Sequence, residues 1–282
     1  MERRWLLKAA GALLAPGGGI LGSGWTESCE YRAKASVLLL SIPLLHRDHV
    51  GAGFLRVAED GDRVDRRLLM EFGAGSIPEH AAGLNRMGLF EESVVEREGR
   101  LHCADYFGYM TSSPEENLEQ AKAVLERGTA AGISAIRGRI GEGRIVNRLA
   151  RLSGLRHQGW ARWREVTVEV RARLEQESGR EVECSAAGGE EVSTFLYAVR
   201  GAMRDESPGT RRFVHNGEIL CLRTEPSNAN GGVVCVSGKI AKASGKQTGA
   251  FRLWHERGST LPLRFEFRPR SFLRLTFERV AS

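Results

Sequence analysis

The sequence predicts a mainly β protein (α+β), in which a large curved antiparallel sheet or open barrel carries two main helices. In several segments apolar and polar residues alternate, as in a strand with one buried and one solvated face. Only two segments are predicted as helices, from the three- and four-residue spacing typical of an amphipathic helix. A large sheet buries its apolar face by curling around a helix or by closing on itself.

The first 24 residues have the order of a bacterial export signal. A basic start, a short apolar run and a glycine-rich stretch follow one another, as in a signal peptide and its cleavage site. The residues that resemble the twin-arginine type of signal are Arg3, Arg4, Leu6, Leu7 and Lys8. A short N-terminal helix is the alternative, which the glycines disfavour. We therefore expect export to the periplasm or beyond, transient contact with the export machinery, and a mature chain without a membrane span.

Next come strands. Residues 35–45 are a nearly continuous apolar run of strand length, and residues 50–59 are predicted to pair with them across a polar corner at 46–49. Residues 164–177 alternate strictly and are predicted as another strand. The apolar residues of that alternation are Val166, Val168, Val170, Ala172 and Leu174.

Two hairpins are predicted in the last third. Residues 261–280 alternate on both sides of a turn at 269–271. Asn216 and Gly217 separate two short apolar segments, and both residue types tolerate the positive φ of a tight hairpin turn.

The two predicted helices are residues 113–128, which begin with a capping box, and residues 190–204, which carry an apolar stripe. We interpret residues 30–282 as a single β-rich domain. It consists either of one continuous sheet or of two halves that meet near residues 154–163.

Among five cysteines, Cys221 and Cys235 lie equally far from Asn228. A hairpin centred on Asn228 would place the two thiols face to face and allow a disulfide in an oxidising compartment. Two buried free thiols are the alternative, and the sequence leaves both open.

Aromatic side chains are the candidate ligand-binding residues. One group precedes the first predicted helix, another lies beside arginines, and one lies on a strand. These residues are Phe107, Tyr109, Met110, Trp160, Trp163 and Trp254. Packing at the end or edge of a sheet is the alternative role for each.

Charge and motifs bound the function. The net charge is +6, and from Arg200 onward 15 Lys and Arg stand against 7 Asp and Glu. This excess suits an acidic polymer or a lipid surface, or simply a solvated sheet face, and nucleic acid is not expected as a partner. The His46–His49 segment supplies too few ligands for a metal site, and no other segment indicates a metal, a cofactor or catalytic residues.

A resemblance rests on four features: the strand–corner–strand segment 42–57, the helix 194–203, the Asn216–Gly217 hairpin, and the strands with Trp254 and "LPLRFEF". Together they resemble a family of exported bacterial β-rich domains of unknown function, similar in shape to the lipoprotein-carrier half-barrels of the cell envelope. The resemblance implies a non-catalytic binding or envelope-assembly protein. The implied partner is an apolar or acyl ligand, held in the curved sheet, or an envelope protein. An exported metal- or cofactor-dependent enzyme is the alternative.

Overall fold

The structure is a computed structural model of the 282-residue chain. It describes residues 24–39, 42–62, 64–81, 86–111, 132–153, 160–176, 179–185, 191–270 and 273–281. The proposed export signal at residues 1–23 and the helix predicted at 113–128 lie outside these ranges. No helix within the described ranges is both long enough and apolar enough to cross a bilayer.

Strands dominate the described chain. In chain order they are β1 (Glu27–Leu39), β2 (Ile42–Gly61), β3 (Asp65–Ser76), β4 (Met87–Arg97), β5 (Arg100–Thr111), β6 (Ile133–Gly141), β7 (Arg144–Leu152), β8 (Arg180–Ser185), β9 (Val192–Ser193), β10 (Gly209–His215), β11 (Glu218–Thr224), β12 (Asn228–Asn230), β13 (Val233–Lys242), β14 (Gln247–Glu256), β15 (Arg264–Arg270) and β16 (Leu273–Arg279). A 3₁₀ helix (Trp160–Arg162) leads into α1 (Trp163–Gln176), and α2 (Phe195–Asp205) follows β9.

All sixteen strands belong to one sheet, in the order β8-β7-β6-β5-β4-β3-β2-β1-β16-β15-β14-β13-β11-β10-β9, with β12 beside β13. The neighbours pair antiparallel except β9 and β10, which pair parallel. β1 pairs with β16, so the two ends of the chain meet in the middle of the sheet. The predicted mainly β class with a large antiparallel sheet and two helices is confirmed.

Contacts between strands that are distant in this order demonstrate the curvature of the sheet. The ring centroids of Phe90 on β4 and His215 on β10 are 5.7 Å apart. The Cys184 thiol of β8 donates a hydrogen bond to the Gly217 carbonyl, 3.1 Å away, in the β10–β11 turn. The sheet therefore curls until its two ends approach each other.

Each helix covers one face of the sheet. Helix α2 lies on the concave face, where Leu196 joins the core formed by residues such as Tyr31, Met70 and Val94. Helix α1 lies on the opposite face, where Val166 packs with the strand residues of a second core. Both faces of β4 are thus buried or partly buried along most of its length.

The described residues of the segment predicted as a strand at 164–177 lie in helix α1 (Trp163–Gln176), so that prediction is wrong. Val166, Val170 and Leu174 are buried, and their four-residue spacing is that of one helix face. Val168, which strict alternation would bury with them, is 68% exposed. Val166 and Val170 fit both the two-residue period of a strand and the four-residue spacing of a helix. The packing of this segment onto the sheet favours the helix.

The first apolar run is divided between two strands. β1 ends at Leu39 and pairs there with Ile42, the first residue of β2, so one strand over 35–45 was a wrong prediction. The polar corner predicted at 46–49 lies within β2. A register shift opposite Ala33–Ala35 and the positive φ of His49 (56°) mark an irregularity at that place.

The later predictions fare better. Asn216 and Gly217 have φ values of 50° and 76° in the β10–β11 hairpin, as predicted. β15 and β16 pair as the predicted second hairpin. The helix predicted over 190–204 begins five residues later, because Val192 and Ser193 pair with β10 first.

The structure corrects the disulfide prediction. Cys221 lies opposite Ala241, and Cys235 lies opposite Asn228 and Trp254. The hairpin is therefore centred nearer Gly231 than Asn228, and both thiols are free. Burial raises the pKa of the Cys235 thiol.

Candidate functional site

A groove on the convex face is the candidate site. It lies between strands β1–β3, the turn after β3, the 3₁₀ helix and the start of α1, and it encloses about 350 Å³. Its floor is aromatic, formed by Phe54, Trp160 and Trp163. We call this cavity the aromatic groove.

Two glycines explain why the tryptophans settle here. Gly73 and Gly75 alternate along β3 and face α1. A Cβ on Gly75 would lie 2.6 Å from Cε3 of Trp160, and a Cβ on Gly73 would lie 2.8 Å from the ring of Phe54. Bare backbone at these two positions therefore gives the rings of Trp160 and Phe54 a flat surface to lie on.

The three rings form one stack. The centroids of Trp160 and Trp163 are 6.1 Å apart with nearly parallel planes. Phe54 lies 5.8 Å from Trp160 and 4.6 Å from Trp163. Such offset arrangements are favourable between aromatic rings, and they leave ring faces and edges toward the groove.

A guanidinium group lies against this stack. The Cζ atom of Arg56 is 4.4 Å from the ring centroid of Phe54 and 5.6 Å from that of Trp163. Arg56 also forms an ion pair with Glu71, at 3.6 Å between Nη1 and Oε2. Cation–π contact and the ion pair together fix its charge at the edge of the groove.

Glu71 is itself unusual. The ladder places Arg56, Glu71 and Glu91 side by side on neighbouring strands, beneath α1. Burial, with a further contribution from Glu91, raises the pKa of Glu71 to about 7, although Arg56 lowers it. Glu91 is held by Arg171 at 2.6 Å. Near neutral pH, therefore, Glu71 cancels the charge of Arg56 only in part.

The rim of the groove is predominantly basic. Arg32 and Arg164 lie at its edge with two histidines, His49 and His80, and their counterpart is Glu30. The Cζ atom of Arg164 lies 5.2 Å from the ring of Trp163. The arrangement suits a ligand that has an apolar or flat portion and a negative charge.

The predicted ligand-binding residues separate into four places. Trp160 and Trp163 line the groove. Phe107 and Tyr109 are buried beneath α1, where the Tyr109 hydroxyl lies 2.9 Å from that of Thr167. Met110 faces the other side of β5 and is 48% exposed.

Trp254 lies on β14, away from the groove. Its ring is covered by Arg264, whose Cζ atom is 4.8 Å from the centroid. The structure thus brings Phe107 and Tyr109 close to Trp163 through α1, but it does not bring Met110 or Trp254 to the same site.

The concave side, where the ligand was expected, is well filled around its centre. Glu92 of β4 accepts hydrogen bonds from the Leu196 and Tyr197 amides at the start of α2, at 2.8 and 3.0 Å, and from the Thr194 hydroxyl. Tyr106 beside it donates to Asn147. The recess around these side chains offers about 10 Å³, roughly the space of one water molecule and too little for an acyl chain.

Sequence reasoning missed Phe54, Arg56 and Glu71, because they come from strands whose pairing is not readable from local patterns. One signal was present: glycines at alternate positions of an otherwise apolar strand, 73 and 75, indicate close approach of a bulky group. Within the described segments, no three His, Cys, Asp or Glu side chains gather in a way that could hold a metal ion.

Comparison with known proteins gives a similarity to a solved structure. No family model matches the sequence, and no curated protein matches it. The crystal structure of a β-barrel-like protein of the domain of unknown function DUF1849, from Brucella abortus, is similar with a TM-score of 0.47 and 7% sequence identity. The similarity covers 90% of this chain and 95% of that one.

Proposed function

We propose that this protein is an exported, non-catalytic binding protein of the bacterial cell envelope, and that the aromatic groove holds a ligand with an acyl or other apolar portion and an anionic group. The observation that carries the proposal is the stack of Phe54, Trp160 and Trp163 with the Arg56 guanidinium against it. The order of the N-terminal residues supports export.

The size and chemistry of the groove support a small amphiphile. A volume of about 350 Å³ is within the range of small-molecule sites. An acyl chain would lie along the indole and phenyl rings, and its carboxylate or phosphate would meet the basic rim. The side chains of the groove supply stacking and charge, which are the requirements of binding rather than of bond cleavage.

This arrangement moves the ligand from the inside of the curved sheet to its outside. Helix α2, fastened by Glu92, fills the concave side where the acyl chain was first expected. The groove instead uses α1 as a lid over the convex face. An envelope-assembly role would use the same groove for an acylated partner.

Tryptophan fluorescence during titration with decanoate and with decanol tests the proposal. Because both ligands have the same chain length, the difference between them measures the contribution of the charge. We expect decanoate to shift the emission and to bind about tenfold more tightly than decanol, as a hydrogen-bonded charge pair contributes roughly 1.5–3 kcal/mol.

Arg56→Gln should remove that preference, while Trp163→Leu should weaken both ligands. Trp254→Phe is the matched control, since Trp254 lies outside the groove, and it should change neither affinity. Equal affinities for decanoate in the wild type and in Arg56→Gln would refute the proposed site.

A further inference from the structure

The β1–β2 hairpin extends beyond the rest of the sheet on its β3 side. The β2–β3 ladder runs only from Gly51 to Gly61, and residues 42–47 of β2 pair with β1 alone, whereas the Val50 carbonyl accepts a hydrogen bond from the Ile77 amide after β3. On the other side, β1 residues up to Val37 still pair with β16. We call residues 35–39 and 42–48 the hairpin arm.

The end of the arm exposes large apolar side chains. Leu44 and Leu45 are 61% and 66% exposed, and Val37 is 39% exposed. Val37 lies directly opposite Leu45 on one side and Leu273 on the other, so these side chains share one face. Isolated apolar residues on a surface are ordinary, but three exposed apolar side chains close together on one paired ribbon indicate an interaction site.

Basic side chains surround this apolar tip. Arg47 lies opposite Ala35, and Arg274 lies opposite Ser36. In the described part of the chain no carboxylate forms an ion pair with Arg47 or Arg274, whereas Asp48, the acidic residue of the arm, is held by Lys34 at 3.4 Å and by His46 at 3.2 Å.

The same end of the sheet carries further basic residues from the last third of the chain. Antiparallel pairing places Arg268 of β15 opposite Ala250, and the β13–β14 turn with Lys246 lies at this end, where Lys242 is ion-paired with Glu218 at 2.7 Å. The basic excess after Arg200 is therefore concentrated partly beside the apolar tip. An exposed apolar end of a hairpin with basic residues nearby is complementary to the surface of a bilayer with anionic headgroups.

We propose that the hairpin arm docks the protein on an anionic membrane surface, with Leu44, Leu45 and Val37 entering the boundary between headgroups and acyl chains. Insertion is shallow, because the outer edge of residues 42–48 carries backbone groups without a neighbouring strand, and these need water or headgroups as partners. This docking surface is separate from the aromatic groove and does not rest on the ligand proposed there.

Sedimentation with lipid vesicles tests the inference. The full chain is mixed with vesicles of two parts phosphatidylcholine to one part phosphatidylglycerol, and with vesicles of phosphatidylcholine alone. We expect the protein to bind the anionic vesicles and added salt to weaken that binding. Binding to the neutral vesicles should be weaker. The double substitution Leu44→Ser and Leu45→Ser should reduce the partition coefficient about tenfold or more, as two leucine side chains no longer leave water.

Val168→Ser is the matched control, because Val168 is an equally exposed apolar residue (68%) on α1, and it should bind as the wild type does. The double variant should bind decanoate as the wild type does, which separates this surface from the groove. Equal vesicle binding by the double variant and the Val168→Ser control would overturn the inference, and so would no binding by the wild type. A solution dimer that the double variant converts to a monomer would also overturn it, because a second copy would then cover the tip.

Discussion

At the residue scale, the aromatic groove depends on two glycines of β3, because a glycine has no side chain to occupy the space above the strand. Gly73 and Gly75 keep the surface of β3 bare, so the indole of Trp160 lies directly on the backbone. Neither glycine has a positive φ, so each could take an alanine without backbone strain. What excludes a larger residue is the close approach of Trp160 and Phe54.

Gly75→Ala should therefore destabilise the protein through crowding. The new Cβ would lie 2.6 and 2.9 Å from atoms of Trp160, so the 3₁₀ helix and the start of α1 would have to shift. We expect a loss of about 1–3 kcal/mol in the free energy of unfolding, measured with urea. Gly141→Ala is the control, since its Cβ would meet only Cys103, at an ordinary 3.7 Å.

A second variant distinguishes crowding from any other effect of the alanine. When Trp160 is already replaced by alanine, the substitution at Gly75 should cost much less, because the side chain that it would meet is gone. If the two costs simply add, crowding against Trp160 is not the cause.

At the element scale, helix α2 is capped at its N-terminus by a side chain from another element. Its N-cap residue, Thr194, makes no side-chain capping bond to the helix, and Glu92 from β4 accepts the first free amides instead. Burial raises the pKa of Glu92 to about 7, against the lowering effect of its hydrogen bonds from Thr194, Leu196 and Tyr197.

This raised pKa predicts a direction for stability with pH. Between about pH 4.5 and pH 7 the folded chain keeps a proton on Glu92 that the unfolded chain has released, so stability falls as the pH rises through this window. Glu92→Gln should flatten the dependence by about 1–3 kcal/mol between its two ends. Urea unfolding at several pH values measures it.

Glu71 has a pKa raised to about 7 for a similar reason, so part of the slope should remain in the Glu92→Gln variant. Glu71→Gln provides the second comparison, and the double variant should be flatter than either. A double variant with the same pH dependence of stability as the wild type would contradict the assignment of raised pKa values to these two groups.

The elements show where sequence reasoning succeeded and where it failed. Local signals with one physical meaning were read correctly, such as Asn216–Gly217 at a hairpin turn. The valines of residues 166–170 satisfied two periods at once, and only the surface that α1 meets decided between them. Glu92 could not be recognised as the cap of α2, because the two lie more than a hundred residues apart.

The candidate site could be predicted only in part, because the sequence shows residues that are neighbours along the chain and not contacts between distant segments. Trp160 and Trp163 were candidates because tryptophans beside arginines are visible in a short window. Phe54 and Arg56 belong to the same site through the β2–β3 ladder and the docking of α1, which are contacts between distant segments.

At the scale of the whole molecule, the chain is wound so that its ends join at the centre of the sheet. β1 and β16 are paired over seven residues, from Tyr31 to Val37. The chain passes from one end of the sheet order to the other between β8 and β9. The strands before residue 186 and those after residue 190 are therefore two neighbouring parts of one sheet, linked both by a ladder and by α2.

This topology predicts that the chain can be cleaved between Ser185 and Glu191 and that the two fragments remain associated. A protease site introduced there would yield two fragments that still share the β1–β16 ladder and the bond between Glu92 and the start of α2. We expect them to co-elute in gel filtration under native conditions and to separate in urea.

Glu92→Ala in the cut protein should lower the urea concentration at which they separate, because it leaves two amides at the start of α2 without an acceptor, at a cost of roughly 1–3 kcal/mol each. Fragments that elute separately without urea would instead favour two halves that fold as independent units.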